Sequence, residues 1–170
     1  PRWAAELTRV RPHLLLLGAA ITKETAKWMG SWAEALITVN KPLEELKEVI
    51  TAFRENGGAG KPVYLKVQLS YAQNEEDALN GAYDQWRTNV LPSHLLTDLP
   101  TVTDFEKHAV SVSKEKVKQM VNVSSDIEKH ADWIRQYQSL GLEGIYLHNV
   151  NREQEVFIKD FGKRLLPALR

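Results

Sequence analysis

Residues 144–150, Gly-Ile-Tyr-Leu-His-Asn-Val, decide the fold. A long helical pattern stops just before them, at Leu140-Gly141, and the helix that closes the chain follows directly after. Within the stretch, apolar Ile145 and Leu147 alternate with Tyr146 and His148. A strand held between two helices this way, packing one face on helices, belongs to a parallel α/β protein. Such a sheet binds ligands at the carboxyl edge of its strands, which here carries His148 and Asn149.

Working outward, three earlier stretches repeat the arrangement. His13 to Leu17 reads as a short apolar strand that runs into the small-residue turn Gly18-Ala19-Ala20. Thr22 opens the next helix, which ends near Gly30 with Trp28 and Trp32 packed on the sheet. Ala35 to Val39 is the second strand, and Pro42 takes the first position of a helix whose apolar stripe is Leu43, Leu46, Val49, Ile50 and Phe53. Asn56-Gly57-Gly58-Ala59-Gly60 lies after a helix and before a strand, the wrong side for a phosphate-cradling loop, and reads as a flexible connection. Val63 to Tyr71 is the third strand, with Val63, Leu65, Val67 and Leu69 on one face and Tyr64, Lys66, Gln68 and Ser70 on the other.

Asn74 caps a helix that runs to about Thr88, its acidic first turn complementing the helix dipole. Residues 90–124 then break the alternation with Pro92, Pro100 and two short helical patterns, Asp104 to Val110 and Ser113 to Met120. This excursion reads as an insertion of the lid or binding-loop kind within a single domain covering residues 1–170. The expected fold class is α/β, with four parallel strands each followed by helix and an irregular, helical insertion before the last βα unit. Four such units make half of a (β/α)8 barrel or a small open doubly wound sheet. In the barrel, the polar face of the third strand lines the interior and its mouth, which places Lys66, Gln68 and Ser70 near a ligand.

Composition narrows the function classes. The chain has 170 residues, with 22 Lys plus Arg balancing 22 Asp plus Glu, so no global field favours nucleic acid or an anionic membrane. The absence of cysteine removes disulfides, thiolate metal sites and thiol nucleophiles, and fits the cytoplasm. No apolar run reaches the ~20 residues of a membrane span. His13, His94, His108 and His130 are scattered without metal-ligand spacing, so no metal site is expected. A first residue of proline, a few positions ahead of a buried-type strand, suggests a fragment or a processed product.

The order and wording of these segments resemble the C-terminal half of the bacterial luciferase-like flavin monooxygenase family, in particular its deazaflavin (coenzyme F-420) dependent oxidoreductase branch. The matching pieces are Leu17-Gly18-Ala19-Ala20 with Thr22, residues 32–38 (Trp-Ala-Glu-Ala-Leu-Ile-Thr), Pro42-Leu43, residues 144–149, Glu153-Gln154, and Leu166-Pro167-Ala168-Leu169. The resemblance implies a (β/α)8 barrel with FMN or deazaflavin at its carboxyl mouth, of which this chain is the C-terminal half. It places the cofactor phosphate on the turn Gly18, Ala19, Ala20 and Thr22, where small residues let backbone N–H groups approach an anion beside a helix N-terminus. It adds Thr38 as a cofactor contact and Lys41 at a position some relatives use for a substrate phosphate. Glu34-Ala35 departs from the family's usual Asp-Gly, so the local backbone is expected to differ. His148 and Asn149 are mouth-lining groups, and no catalytic residue is assigned, because the groups nearest the reacting ring come from the other half of the barrel.

The implied parent is an oxidoreductase that moves hydride between FMN or deazaflavin and a small organic substrate, the chain alone being inactive. One alternative is a non-catalytic half-barrel that self-associates, or that pairs with the missing N-terminal half, to cover its open sheet edges. Another is the phosphate-binding half of a sugar-phosphate barrel enzyme.

Overall fold

The computed structural model describes residues 15–169, apart from the side chains at positions 93, 94 and 97. Its sheet is parallel throughout the pairings β1–β2, β2–β3 and β3–β4, with β5 also pairing β3. The strands are β1 (Leu17–Ala19), β2 (Ala35–Val39), β3 (Val63–Ser70), β4 (Asn122–Val123) and β5 (Gly144–Asn149). Four of them are the strands expected from sequence, and the two-residue β4 is additional. The first lies further along than expected: its anticipated start, His13 and Leu14, falls outside the described residues. The chain read as one domain divides into two compact units, one within Pro1–Val67 and Gln136–Tyr146, the other within Gln68–Arg135 and Leu147–Arg170.

In the first unit, register is fixed by Leu17↔Ala35 and Leu36↔Val63. Helices α1 (Lys23–Gly30) and α2 (Leu43–Phe53) follow β1 and β2. Leu36, Val63, Leu65 and Val67 are at most 1% exposed, as are Leu46 and Phe53 of α2, so this is the unit's core. Burying each such side chain contributes about 1.5–3 kcal/mol. The alternate positions Ile37, Val39, Tyr64 and Lys66 are half-exposed, which is the two-residue period read from the sequence. Pro42 stands just before α2 in extended conformation (φ −47°, ψ 136°) rather than inside its first turn. After α2, Arg54–Gly58 forms a wide π-type turn in which Gly57 takes φ +99°, so the glycine-rich stretch is an ordered helix end.

In the second unit, β3 continues into Leu69↔Asn122 and Ser70↔Val123, and the Val150 N–H donates to Leu69 O at 2.8 Å. Helix α3 (Glu75–Trp86) is followed by α4 (Ser93–Asp98), α5 (Val102–Ala109), α6 (Lys114–Met120) and α7 (Ile127–Gln138). The chain closes with α8 (Gln154–Asp160), a π-type turn at Phe161–Leu165, and α9 (Leu166–Ala168). Val90, Val117, Val121 and Val123 share one core cluster with Ala78, Ala82 and Val150. Residues 90–124 are thus packed structure that carries part of this unit's core. No helix among the described residues is long and apolar enough to cross a membrane.

Candidate functional site

The carboxyl edge of β1 and β2 holds the first group of candidate residues. Gly18 is buried, and a Cβ there would come within 2.7 Å of Met29 Sδ and 2.9 Å of Met29 Cβ. The glycine therefore lets α1 lie directly on β1, which brings the helix N-terminus to the strand end. Thr22 caps that helix: its hydroxyl accepts from Thr25 N–H at 3.2 Å and donates to Thr25 Oγ1 at 3.1 Å. The first intrahelical bond runs from Ala26 N–H to Thr22 O, so the amides of Lys23 and Glu24 lie ahead of the helical ladder.

Beside this turn is a cavity of about 310 Å³. Ala19, Ala20, Ile21 and Thr25 line it from β1 and α1, and Ile37, Thr38, Val39 and Lys66 line it from β2 and β3. Ala19, Ala20, Thr38 and Lys66, expected from sequence, thus meet around one cavity, with Gly18 and Thr22 adjoining it in the same turn. Thr38 is 2% exposed, and its hydroxyl has no hydrogen-bond partner among the described residues. A buried hydroxyl left unsatisfied costs about 1–3 kcal/mol, so it stands ready for an incoming acceptor or donor.

Lys41 lies at the edge of the same region, but its ammonium is engaged. Nζ donates to Ile21 O at 2.8 Å and pairs with Glu45 at 3.6 Å. Glu34 carries the departure from Asp-Gly into a specific contact. Its Oε2 accepts from Leu16 N–H at 2.8 Å while its own N–H donates to Leu16 O at 3.0 Å.

The remaining candidates sit in the second unit. Gln68 is half-exposed. The His148 ring packs edge-on against Trp86, with centroids 5.1 Å apart. Ser70 and Asn149, expected at the mouth, are 0% and 3% exposed and are taken up by the protein's own backbone. Ser70 Oγ donates to Ala78 O at 2.6 Å. Asn149 Oδ1 accepts from Tyr71 N–H at 3.1 Å and from Asn151 N–H at 3.4 Å. Asn151 Nδ2 donates to Asp77 O at 3.1 Å, and Gln154 Nε2 donates to the carbonyls of Asn149 and Asn151. The alternation placed Ser70 and Asn149 at the strand ends; the turns that follow roof them over.

Sequence reasoning also missed a polar brace around Glu75. Its Oε2 accepts from Ser125 N–H at 2.8 Å and Ser124 Oγ at 3.3 Å. Burial raises the Glu75 pKa, but these hydrogen bonds, with Lys129 and Lys118 nearby, outweigh it and hold the carboxyl below its usual value. His130 is 1% exposed, its Nε2–H donates to Ser124 O at 2.9 Å, and burial lowers its pKa. Tyr71 packs edge-on to His130 and Phe161, and its hydroxyl donates to Asp160 at 2.8 Å. Burial and then that bond push the Tyr71 pKa up to about 12. The Asn-Val-Asn spacing at 149–151 was a visible signal of the Asn149 and Asn151 brackets, because asparagine at strand ends bonds neighbouring backbone.

No family model matches the chain. Among curated proteins it is similar to the F420-dependent glucose-6-phosphate dehydrogenase of Mycobacterium tuberculosis, 26% identical over 153 residues, covering 85% of this chain and 45% of that protein. Among solved structures it is similar to an F420-dependent secondary alcohol dehydrogenase in complex with an F420-acetone adduct, at TM-score 0.78 and 19% identity, covering 93% of this chain and 49% of the other. Its likeness is to F420-dependent oxidoreductases. A long-chain alkane monooxygenase shares the fold at TM-score 0.58 and 16% identity, over 90% of this chain and 40% of the other. The resemblance to the luciferase-like, F420-dependent oxidoreductases expected from residues 17–22, 32–38 and 144–149 is therefore met, as is the α/β fold with a parallel sheet. The chain spans about half the length of the F420-dependent relatives it matches.

Proposed function

We propose that this chain is the C-terminal half of an F420- or FMN-dependent oxidoreductase, and that its first unit holds the phosphate end of the cofactor. The observation that carries this reading is the cavity where Ala19, Ala20, Thr38 and Lys66 meet beside the capped start of α1. Gly18 leaves room for Met29, so α1 packs directly on β1 beside the turn. The amides ahead of the helical ladder favour an anion, as helix N-termini do. Thr38 supplies a buried hydroxyl with an unused valence. When bound, the cofactor would supply hydride transfer to or from an organic substrate; this chain would bind it, orient it and exclude water. For the second unit, taken by itself, Gln68 and His148 are proposed as substrate-contacting groups. No catalytic residue is assigned within these residues, and the chain by itself is proposed to be inactive, its open strand edges covered by the other half of a (β/α)8 barrel. The whole protein would be cytoplasmic and would bind neither nucleic acid nor membrane.

Titration with deazaflavin and with FMN, followed by absorbance and fluorescence, tests the reading, which predicts saturable binding of at least one. Binding of neither, with binding of a sugar phosphate in their place, would favour the sugar-phosphate barrel. The self-associating alternative predicts a concentration-dependent dimer in sedimentation.

A further inference from the structure

Lys41 belongs to the turn after β2, yet it reaches back to the turn after β1. Nζ donates to Ile21 O over 2.8 Å, twenty residues away in sequence, and its charge is met by Glu45 Oε2 at 3.6 Å, one helical turn further on. The Ile21 carbonyl and the Thr22 amide share one peptide plane, which is rigid. Fixing the direction of that carbonyl therefore fixes the Thr22 N–H on the other side. It also fixes the approach of the chain to the Thr22 cap, from which the amides of Lys23 and Glu24 fan out. An ammonium offers three donors, and here one is on a carbonyl and another faces a carboxylate.

We propose that Lys41 is a positioning residue for the turn 18–22, holding the Ile21–Thr22 peptide in the orientation that presents its amides to an anion, and is not itself a ligand of a cofactor or substrate phosphate. This rests on the proposed role of that turn. It also parts from the role the family resemblance offered for Lys41, because the geometry has already spent the charge. Glu45 acts with it: by neutralising the ammonium it keeps Lys41 on the carbonyl.

Two measurements on Lys41→Met, Lys41→Arg and Glu45→Gln decide the matter. The first needs no cofactor. Amide hydrogen exchange in the free protein should speed up by about tenfold at Thr25 and Ala26 in Lys41→Met, the loss of one hydrogen bond, with β3 amides unchanged as the check on folding. Lys41→Arg, which keeps a donor, should restore most of the protection. The second is FMN affinity against salt concentration. A brace lost in Lys41→Met weakens FMN binding about tenfold with an unaltered salt dependence, whereas a lost direct ion pair flattens that dependence. Glu45→Gln should leave FMN binding equal or weaker. Unchanged exchange at Thr25 and Ala26, a flattened salt dependence, or tighter FMN binding in Glu45→Gln would each overturn the assignment. Failure of the unaltered protein to bind any flavin or deazaflavin would instead refute the cofactor role of the turn, with the exchange data still judging the brace.

Discussion

Asn149 Oδ1 accepts a hydrogen bond from the backbone N–H of Tyr71 at 3.1 Å, tying the end of β5 to the residue that follows β3. The same oxygen takes Asn151 N–H at 3.4 Å, so one side chain satisfies two buried donors. Its place at a strand end suggested a ligand contact, but its environment makes it a fastener. Asn149→Ala is expected to lower unfolding stability by about 2 kcal/mol, since it leaves two buried amides unpaired, without altering cofactor affinity. Urea denaturation set beside FMN titration checks both halves.

Gly18 has no room for a side chain, with Met29 Sδ at 2.7 Å and Met29 Cβ at 2.9 Å from the position a Cβ would take. Gly18→Ala should cost about 1–3 kcal/mol by overpacking, and it should weaken anion binding by lifting α1 off β1. Adding Met29→Ala should recover stability, and a double-mutant cycle by thermal unfolding would show the coupling.

Thr38 separates stability from binding. Its hydroxyl is buried without a partner, so Thr38→Val is expected to leave stability unchanged or raise it by about 1 kcal/mol while weakening cofactor binding. Thermal unfolding and FMN titration on the same sample read the two effects.

His130 and Tyr71 give the second unit opposite pH arms. Burial lowers the folded pKa of His130 below 6.5, outweighing the Ser124 carbonyl and the carboxylates of Glu75 and Asp126, with Lys129 adding to the lowering. The unfolded chain then binds more protons than the folded one, and stability falls as pH drops through 6.5. Tyr71 behaves oppositely. Its folded pKa is about 12 against 10.0 unfolded, so its contribution is complete below 10 and is lost as pH rises from there to 12. Denaturation midpoints across pH should show both arms, with the alkaline arm reduced in Tyr71→Phe.

The legible parts of this chain were those with a long period to read. Alternation over Val63–Ser70 and the apolar stripe of α2 gave strand and helix directly, because each pattern runs for several repeats. The leucine run at 14–17 has no alternation, so its strand boundary was displaced; pairing with Ala35 to Ile37 sets it at Leu17–Ala19. The two residues of β4 are too short for any period, and α4 was likewise missed between prolines. That Ala19, Ala20 and Thr38 lie at neighbouring strand ends was legible from the order of their segments. The engagement of Lys41 by Ile21 and the roofing of Ser70 and Asn149 were not, since each depends on where a neighbouring turn folds back.

The most direct test of the central claim compares a phosphorylated ring cofactor with the same ring lacking phosphate. FMN and riboflavin share every ring contact, so their difference isolates the turn at Gly18–Thr22. The account predicts that FMN or deazaflavin binds and that riboflavin binds at least about tenfold more weakly, with the gap shrinking in Thr22→Ala. Equal affinity for FMN and riboflavin, or no binding of any of the three, would contradict it.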